Sequence, residues 1–144
     1  MAYELISPSS VEQWQTYHAI RRKVLFENRG FFNRYQEDHP DEFRDGNHPF
    51  VLIHDSEIIG VIRVDIDGTV AIFRRVAIRD DLQRRGHGKQ MLELAEAFAR
   101  RSGCALIRSF VNPEAVTFYE RCGFERDTSL RGDAEHKPMF KRLA

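Results

Sequence analysis

The 144-residue chain carries 22 basic and 22 acidic side chains, no formal net charge and 42% hydrophobic residues. That size suits a single domain over residues 1–144 with a core of its own. A neutral chain has no overall field to draw it to nucleic acid or to a membrane surface.

No apolar run approaches the roughly 20 residues of a membrane span, and the N-terminus lacks the basic-then-apolar pattern of an export signal. Cys104 and Cys122 form neither a C-x-x-C pair nor a disulfide framework, so a cytoplasmic location is expected. No His/Cys grouping has metal-ligand spacing, and no metal is expected.

Tyr3–Ile6 reads as a short strand. Ser9, with Glu12 three residues on, reads as a capping box opening a helix that carries Val11, Trp14, Tyr17, Val24 and Leu25. Gly30 ends it, and Phe31–Tyr35 is expected to form a further short helix. Residues 36–49 hold Glu37, Asp38, Asp41, Glu42 and Asp45 against one basic residue, Arg44, which reads as an acidic loop.

Strands follow at Phe50–His54, Ile58–Ile66 and Thr69–Ile78. Asp67-Gly68 between the last two is a two-residue hairpin signal. A helix over Lys89–Arg101 shows Met91, Leu94, Ala95 and Phe98 at helical spacing and stops at Gly103. Cys104–Val111 reads as a strand, Ala115–Arg121 as a short helix, and Phe124–Asp127 and Lys137–Leu143 as strands. This order implies a mixed, mostly antiparallel α/β sheet flanked by helices. The C-terminal strand can pair within the chain or with a second copy, which leaves a homodimer open.

The hairpin signal sets a register in which Ile66 faces Thr69, Asp65 faces Val70, Arg63 faces Ile72 and Val61 faces Arg74. Period-two alternation then puts Arg63, Asp65 and Arg74 on one face. Ile62, Val64, Ile66, Ala71 and Phe73 share the other face and belong to the core. The charged face is either a solvated sheet surface or the lining of a pocket.

Gln83-Arg84-Arg85-Gly86-His87-Gly88-Lys89 stands between the Val70–Ile78 run and the following helix. Two glycines there let the backbone turn sharply and leave its N–H groups uncovered at the positive end of a helix dipole, a site for phosphate oxygens. Arg84, Arg85 and Lys89 add charge at the same place. The spacing is not that of a Walker A loop, because one residue separates the glycines and Gln90 follows the lysine. Met91 stands where a Rossmann fingerprint needs a third small residue, so a dinucleotide cradle is disfavoured. His87 is expected to point to solvent.

Asn112-Pro113-Glu114-Ala115-Val116-Thr117-Phe118-Tyr119-Glu120-Arg121-Cys122-Gly123-Phe124 closely resembles the second signature of the GNAT superfamily of N-acetyltransferases. In that signature a strand ends in Asn, a short helix carries A-x-x-F-Y-x-x-x-G-F, and another strand begins. The 83–88 stretch is similar to the family's Q/R-x-x-G-x-G/A loop, which binds the pyrophosphate of acetyl-CoA. The resemblance covers roughly residues 50–143 well and the first fifty in outline. It implies the GNAT acyl-CoA N-acyltransferase fold and acetyl-CoA as acetyl donor.

Carried over position by position, the resemblance implies that the pantetheine arm lies along Val76, Ala77 and Ile78 like an added strand. The backbone amides of Arg84, Arg85, Gly86, His87, Gly88 and Lys89 would hold the pyrophosphate. An N–H at Val76 would stabilise the oxyanion, and Tyr119 would protonate the departing thiolate. Asn112 would contact the cofactor arm, or alternatively cap the turn before Pro113.

Family members with a base on the strand before the loop carry Glu or His where Ile72 and Arg74 stand here. A base must then come from Asp65, from the acidic loop (Glu37, Asp38, His39, Glu42) or from water. Arg74 with Arg63 would suit a carboxylate or phosphate on the acceptor, with the acidic loop opposite receiving an ammonium. Alternatively Arg74 pairs with that loop and closes the cleft. The expected reaction is acetyl transfer to a primary amine of a small molecule or peptide. The alternative is a catalytically weak acyl-CoA-binding sensor.

Overall fold

Apolar runs joined by the tight turns at Asp55-Ser56 and Gly68-Thr69 lay three strands side by side, and the N-terminal strand adds to their edge. In the computed structural model, which describes residues 2–143, β1 (Tyr3–Ile6), β2 (Asn47–His54), β3 (Glu57–Asp67) and β4 (Val70–Ile78) run antiparallel. β5 (Leu106–Val111) joins β4 in parallel, β7 (Lys137–Arg142) returns antiparallel to β5, and β6 (Glu125–Arg126) pairs with the outer side of β7. The result is a seven-stranded sheet in the order β1-β2-β3-β4-β5-β7-β6. It is the mixed, mostly antiparallel sheet read from the sequence.

Each face of the sheet is covered. On one side α2 (His87–Arg101) and α3 (Val116–Arg121) bury Met91, Leu92, Ala95, Val116 and Tyr119 against Ile62, Val64, Ala71 and Phe73. On the other, α1 (Val11–Ile20) sets Tyr17 and Ile20 against Val51, Val61 and Ala77. No helix among the described residues is long and apolar enough to cross a membrane.

The first fifty residues depart most from expectation. The capping residue is Ser10, whose hydroxyl accepts from Gln13 N at 3.1 Å, while Gln13 reaches back to Ser9 N at 2.8 Å. The box is thus Ser10 with Gln13 rather than Ser9 with Glu12. Beyond Ile20 the chain stays helical to Arg29, but Arg21–Phe26 widens to i→i+5 hydrogen bonding. Phe31–Tyr35 forms no helix, because Gly30, at φ 84°, turns the chain out of the helical region. The acidic stretch contains a short 3₁₀ turn, Pro40–Phe43, and its last residues already belong to β2.

The β3–β4 hairpin is two residues out of the expected register. Asp67 pairs with Val70 and Arg63 with Arg74. Gly68, at φ 60°, takes the first central place of the turn, where a type II′ turn demands a positive φ. A shift of two preserves the faces, so Arg63, Asp65 and Arg74 still share one side. Past Arg74 the alternation breaks at a bulge: Arg75 has φ 55°, and Val61 pairs with Ala77. Val76 and Ile78 therefore pack toward α2, while Ala77 joins the α1 side.

Candidate active site

β4 and β5 pair only from Val70/Leu106 to Phe73/Ser109, although β4 runs on to Ile78 and β5 to Val111. Beyond the last pair, Arg74–Ile78 has no β5 partner, which leaves a strand edge for an extended ligand to hydrogen-bond. Val76, Ala77 and Ile78 lie on that stretch.

The chain leaves β4 through a 3₁₀ turn and enters α2 at Gly86. Gln83 Nε2 donates to Ile78 O at 3.0 Å and ties the loop to the strand end. Arg84 (φ 64°) and Gly86 (φ 89°) both adopt the left-handed conformation, and Gly86 caps α2 without a side chain. The opening amides of α2 are thus uncovered at the positive end of its dipole. Arg84, Arg85 and Lys89 are exposed and make no ion pair among the described residues. A Cβ added at Gly86 would meet nothing within 4 Å, so the turn has room for a phosphate group.

His87 does not point to solvent. Its ring is half-buried, with Nδ1 2.8 Å from the Tyr3 hydroxyl, beside the ring of His54. The side chain anchors α2 to β1, while its backbone amide stays in the turn.

Tyr119 is buried at the fork between β4 and β5. Its ring meets Phe118 and Phe124 edge-on, at 5.6 and 5.2 Å between centroids. Its hydroxyl lies near the Ser109 side chain, and Ser109 Oγ donates to Phe73 O at 3.3 Å. Burial pushes the phenol up to about 12, partly opposed by the nearby Ser109 hydroxyl. Ser109 was missed in the sequence; the signal was a lone hydroxyl between Ile107 and Val111 on the inward face of β5.

Asn112 makes no cap bond. With its amide oriented to satisfy both neighbours, its oxygen accepts from Arg29 Nη1 at 2.9 Å and its nitrogen donates to Glu135 O at 3.1 Å. Arg29 also pairs with Glu114 (2.8 Å) and Glu135 (2.7 Å). This network ties the end of the first helical segment to the segments after β5 and before β7.

The charged face of the hairpin is a tight cluster. Arg63 grips Asp65 with two bonds, 2.7 and 2.9 Å, and Arg74 Nε reaches Asp65 Oδ2 at 2.9 Å. Arg63 and Asp65 are buried, while the Arg74 side chain is 43% exposed. Arg74 thus pairs with Asp65 and not with the acidic loop.

The acidic loop sends Glu42 inward instead, where it takes Arg21 at 2.5 Å and the Tyr17 hydroxyl at 2.8 Å. Of the loop's other expected base candidates, Glu37 pairs with Arg22, and the exposed His39 accepts from Asp41 N at 3.2 Å.

A sequence profile for the acetyltransferase (GNAT) domain matches residues 45–126, and the chain belongs to that family. A presumed N-acetyltransferase from Lactobacillus plantarum superposes with a TM-score of 0.80 at 26% identity, over 100% of both chains. The PaiA N-acetyltransferase of Thermoplasma acidophilum, solved with coenzyme A, superposes with a TM-score of 0.74 over 99% of this chain and 100% of that one; at 19% identity this shows shared fold alone. A 52-residue stretch is 40% identical to the tRNA(Met) cytidine acetyltransferase TmcA of Aeropyrum pernix, covering 35% of this chain and 7% of that much longer protein.

Proposed function

We propose that this chain transfers the acetyl group of acetyl-CoA to a primary amine, directly, in a ternary complex. The observation that carries this reading is the placing of Tyr119 at the fork where β4 leaves β5, with the uncovered α2 amides at the far end of the same open strand edge. The pyrophosphate of acetyl-CoA would take the amides from Arg84 to Lys89, and its arm would lie along Val76–Ile78, with Asn112 at its side. The Val76 N–H then meets the thioester carbonyl. A neutral amine attacks that carbon, the oxyanion draws on the Val76 N–H, and the C–S bond breaks. Tyr119 protonates the sulfur, and the extra proton on nitrogen leaves to water.

The acceptor enters from the Arg63–Asp65–Arg74 face, with Arg63 and Asp65 holding Arg74 in place. Two free thiols, Cys104 and Cys122, suit a cytoplasmic location. A second reading, an acyl-CoA-binding module of weak catalytic power, is favoured by one observation. Asp65 and Glu42, the buried carboxylates of this face, are both engaged by arginines and poorly placed to act as a base. Release of coenzyme A thiol from acetyl-CoA with a panel of amines separates the two. Turnover supports the transferase, and tight acetyl-CoA binding without turnover on any amine supports the module. Stronger binding of NAD or ATP than of acetyl-CoA would remove both.

A further inference from the structure

Arg75 sits at the bulge of β4, at φ 55°, where few non-glycine residues place their backbone. Its guanidinium lies 5.3 Å from the ring centroid of Phe26, at the widened end of the first helical segment. Arg21, Arg63 and Arg74 all lie close enough for their fields to act on it. Burial, helped by these three like charges, pushes Arg75 below the usual arginine range, yet its side chain remains open to solvent. The guanidinium thus has the Phe26 ring on one side and solvent within reach on another.

The charges of this cluster do not balance. Four guanidiniums face two carboxylates. Glu42 is engaged by Arg21 and Tyr17, and Asp65 by Arg63 and Arg74. The neighbouring Arg22–Glu37 pair is neutral by itself. Among the described residues no carboxylate pairs with Arg75, whose guanidinium stands over the Phe26 ring and whose donors are left for another acceptor. The next residue in the chain is Val76, assigned above to the thioester carbonyl.

We infer that Arg75 binds a carboxylate carried by the acceptor, so that the chain acetylates amino-acid-like amines in preference to amines without an acid group. The inference rests on the acetyl-transfer reading. A planar fork meets a carboxylate with two parallel, charge-assisted bonds.

The test is the rate of coenzyme A thiol release, at saturating acetyl-CoA, with amines matched in pairs: lysine and cadaverine, ornithine and putrescine, phenylalanine and phenethylamine. We expect kcat/KM at least tenfold higher for the carboxylated member of at least one pair. Arg75→Gln should bring that ratio close to one through KM, and Arg75→Lys should restore it only in part. If Arg75→Gln does not fold, Arg75→Lys carries the comparison.

Equal rates within every pair, or a preference untouched by either variant, overturns the inference. So does better turnover of O-phosphoethanolamine than of β-alanine, which assigns the site to phosphate, or an effect confined to acetyl-CoA affinity. Failure of every amine to react while acetyl-CoA binds removes the acetyl-transfer reading instead. Calorimetric titration of the three amino acids into the coenzyme A-loaded protein then decides. Binding weakened in the variant upholds the carboxylate site, and absent or unchanged binding overturns it.

Discussion

The ring of Phe118 lies against the backbone of Gly88, so close that a Cβ added there would stand 3.0 Å from the ring Cζ. The second residue of α2 is therefore a packing contact with α3. The neighbouring Gly86 faces open space at φ 89°. The two glycines thus serve different ends, and the contact couples the turn at Gly86 to the helix that carries Tyr119.

Gly88→Val and Gly86→Val should fail differently. Valine at 88 overpacks the α2–α3 contact and should lower stability by about 1–3 kcal/mol. Valine at 86 meets no clash but must hold a left-handed backbone, at a cost of about 1–3 kcal/mol, and puts methyl groups where a phosphate would lie. Gly86→Ala adds a single methyl there and should weaken acetyl-CoA binding with a smaller loss of stability. Thermal melts beside acetyl-CoA titrations separate packing from binding. Unchanged affinity in folded Gly86→Ala and Gly86→Val proteins would remove the loop from the site.

What could be read ahead of the structure followed local chemistry. Hairpin alternation placed Arg63, Asp65 and Arg74 on one face even with the register wrong by two, because the error was even. The loop before α2 and the Asn112–Phe124 stretch were legible through their resemblance to the GNAT signatures, whose glycines, asparagine and aromatics they keep in the same spacing. The bulge at Arg75 was not, since nothing in Arg-Arg-Val announces a positive φ. The inward turn of Glu42 was also hidden: its partners Arg21 and Tyr17 lie 21 and 25 residues away, and only tertiary contact selects it from the five acidic residues of the stretch.

Tyr119→Phe keeps the ring packed against Phe118 and Phe124 and removes the hydroxyl. Turnover should fall roughly 10²-fold or more, with little change in acetyl-CoA binding. A wild-type rate in this variant would make Tyr119 a packing residue.

The same phenol also predicts alkaline behaviour. Its folded pKa of about 12 lies above the ordinary value of 10.0, so the native state holds the proton more tightly than the unfolded chain. Its contribution is fully present below pH 10 and is lost as pH rises toward 12, amounting to about 3 kcal/mol. Tyr17, also raised by burial, acts in the same direction. Melting temperatures should therefore drop steeply above pH 10, and less steeply in Tyr119→Phe. Parallel curves for the two proteins would argue against a buried, protonated phenol.

Glu42→Gln tests the inward anchor of the acidic loop. Arg21 and Glu42 are each 4% exposed in their side chains, and the substitution leaves the buried guanidinium without its counter-charge. Removing one member of such a pair costs about 3–5 kcal/mol. Tyr17→Phe removes one hydrogen bond to a charged group and should cost about 1.5–3 kcal/mol. Urea denaturation that ranks Tyr17→Phe above Glu42→Gln in cost would contradict this burial.

Asp65 and Arg74 are bonded at 2.9 Å, but their environments differ. Asp65 also carries the buried Arg63, whose side chain is 7% exposed, so Asp65→Asn strips the charge partner from a guanidinium that cannot reach water. That should cost about 3–5 kcal/mol. Arg74 is 43% exposed, and Arg74→Ala should cost no more than about 1 kcal/mol, because Asp65 keeps both of its bonds to Arg63. If Arg74 lines the acceptor cleft, its loss should appear in kinetics: acceptor KM should rise by about tenfold or more, as for a lost charge-assisted bond. The affinity for acetyl-CoA should stay level. Arg74→Lys should recover only part of the KM, since an ammonium cannot reproduce the planar fork. An Arg74→Ala protein with a lowered melting point and an unchanged acceptor KM would confine Arg74 to holding the hairpin together.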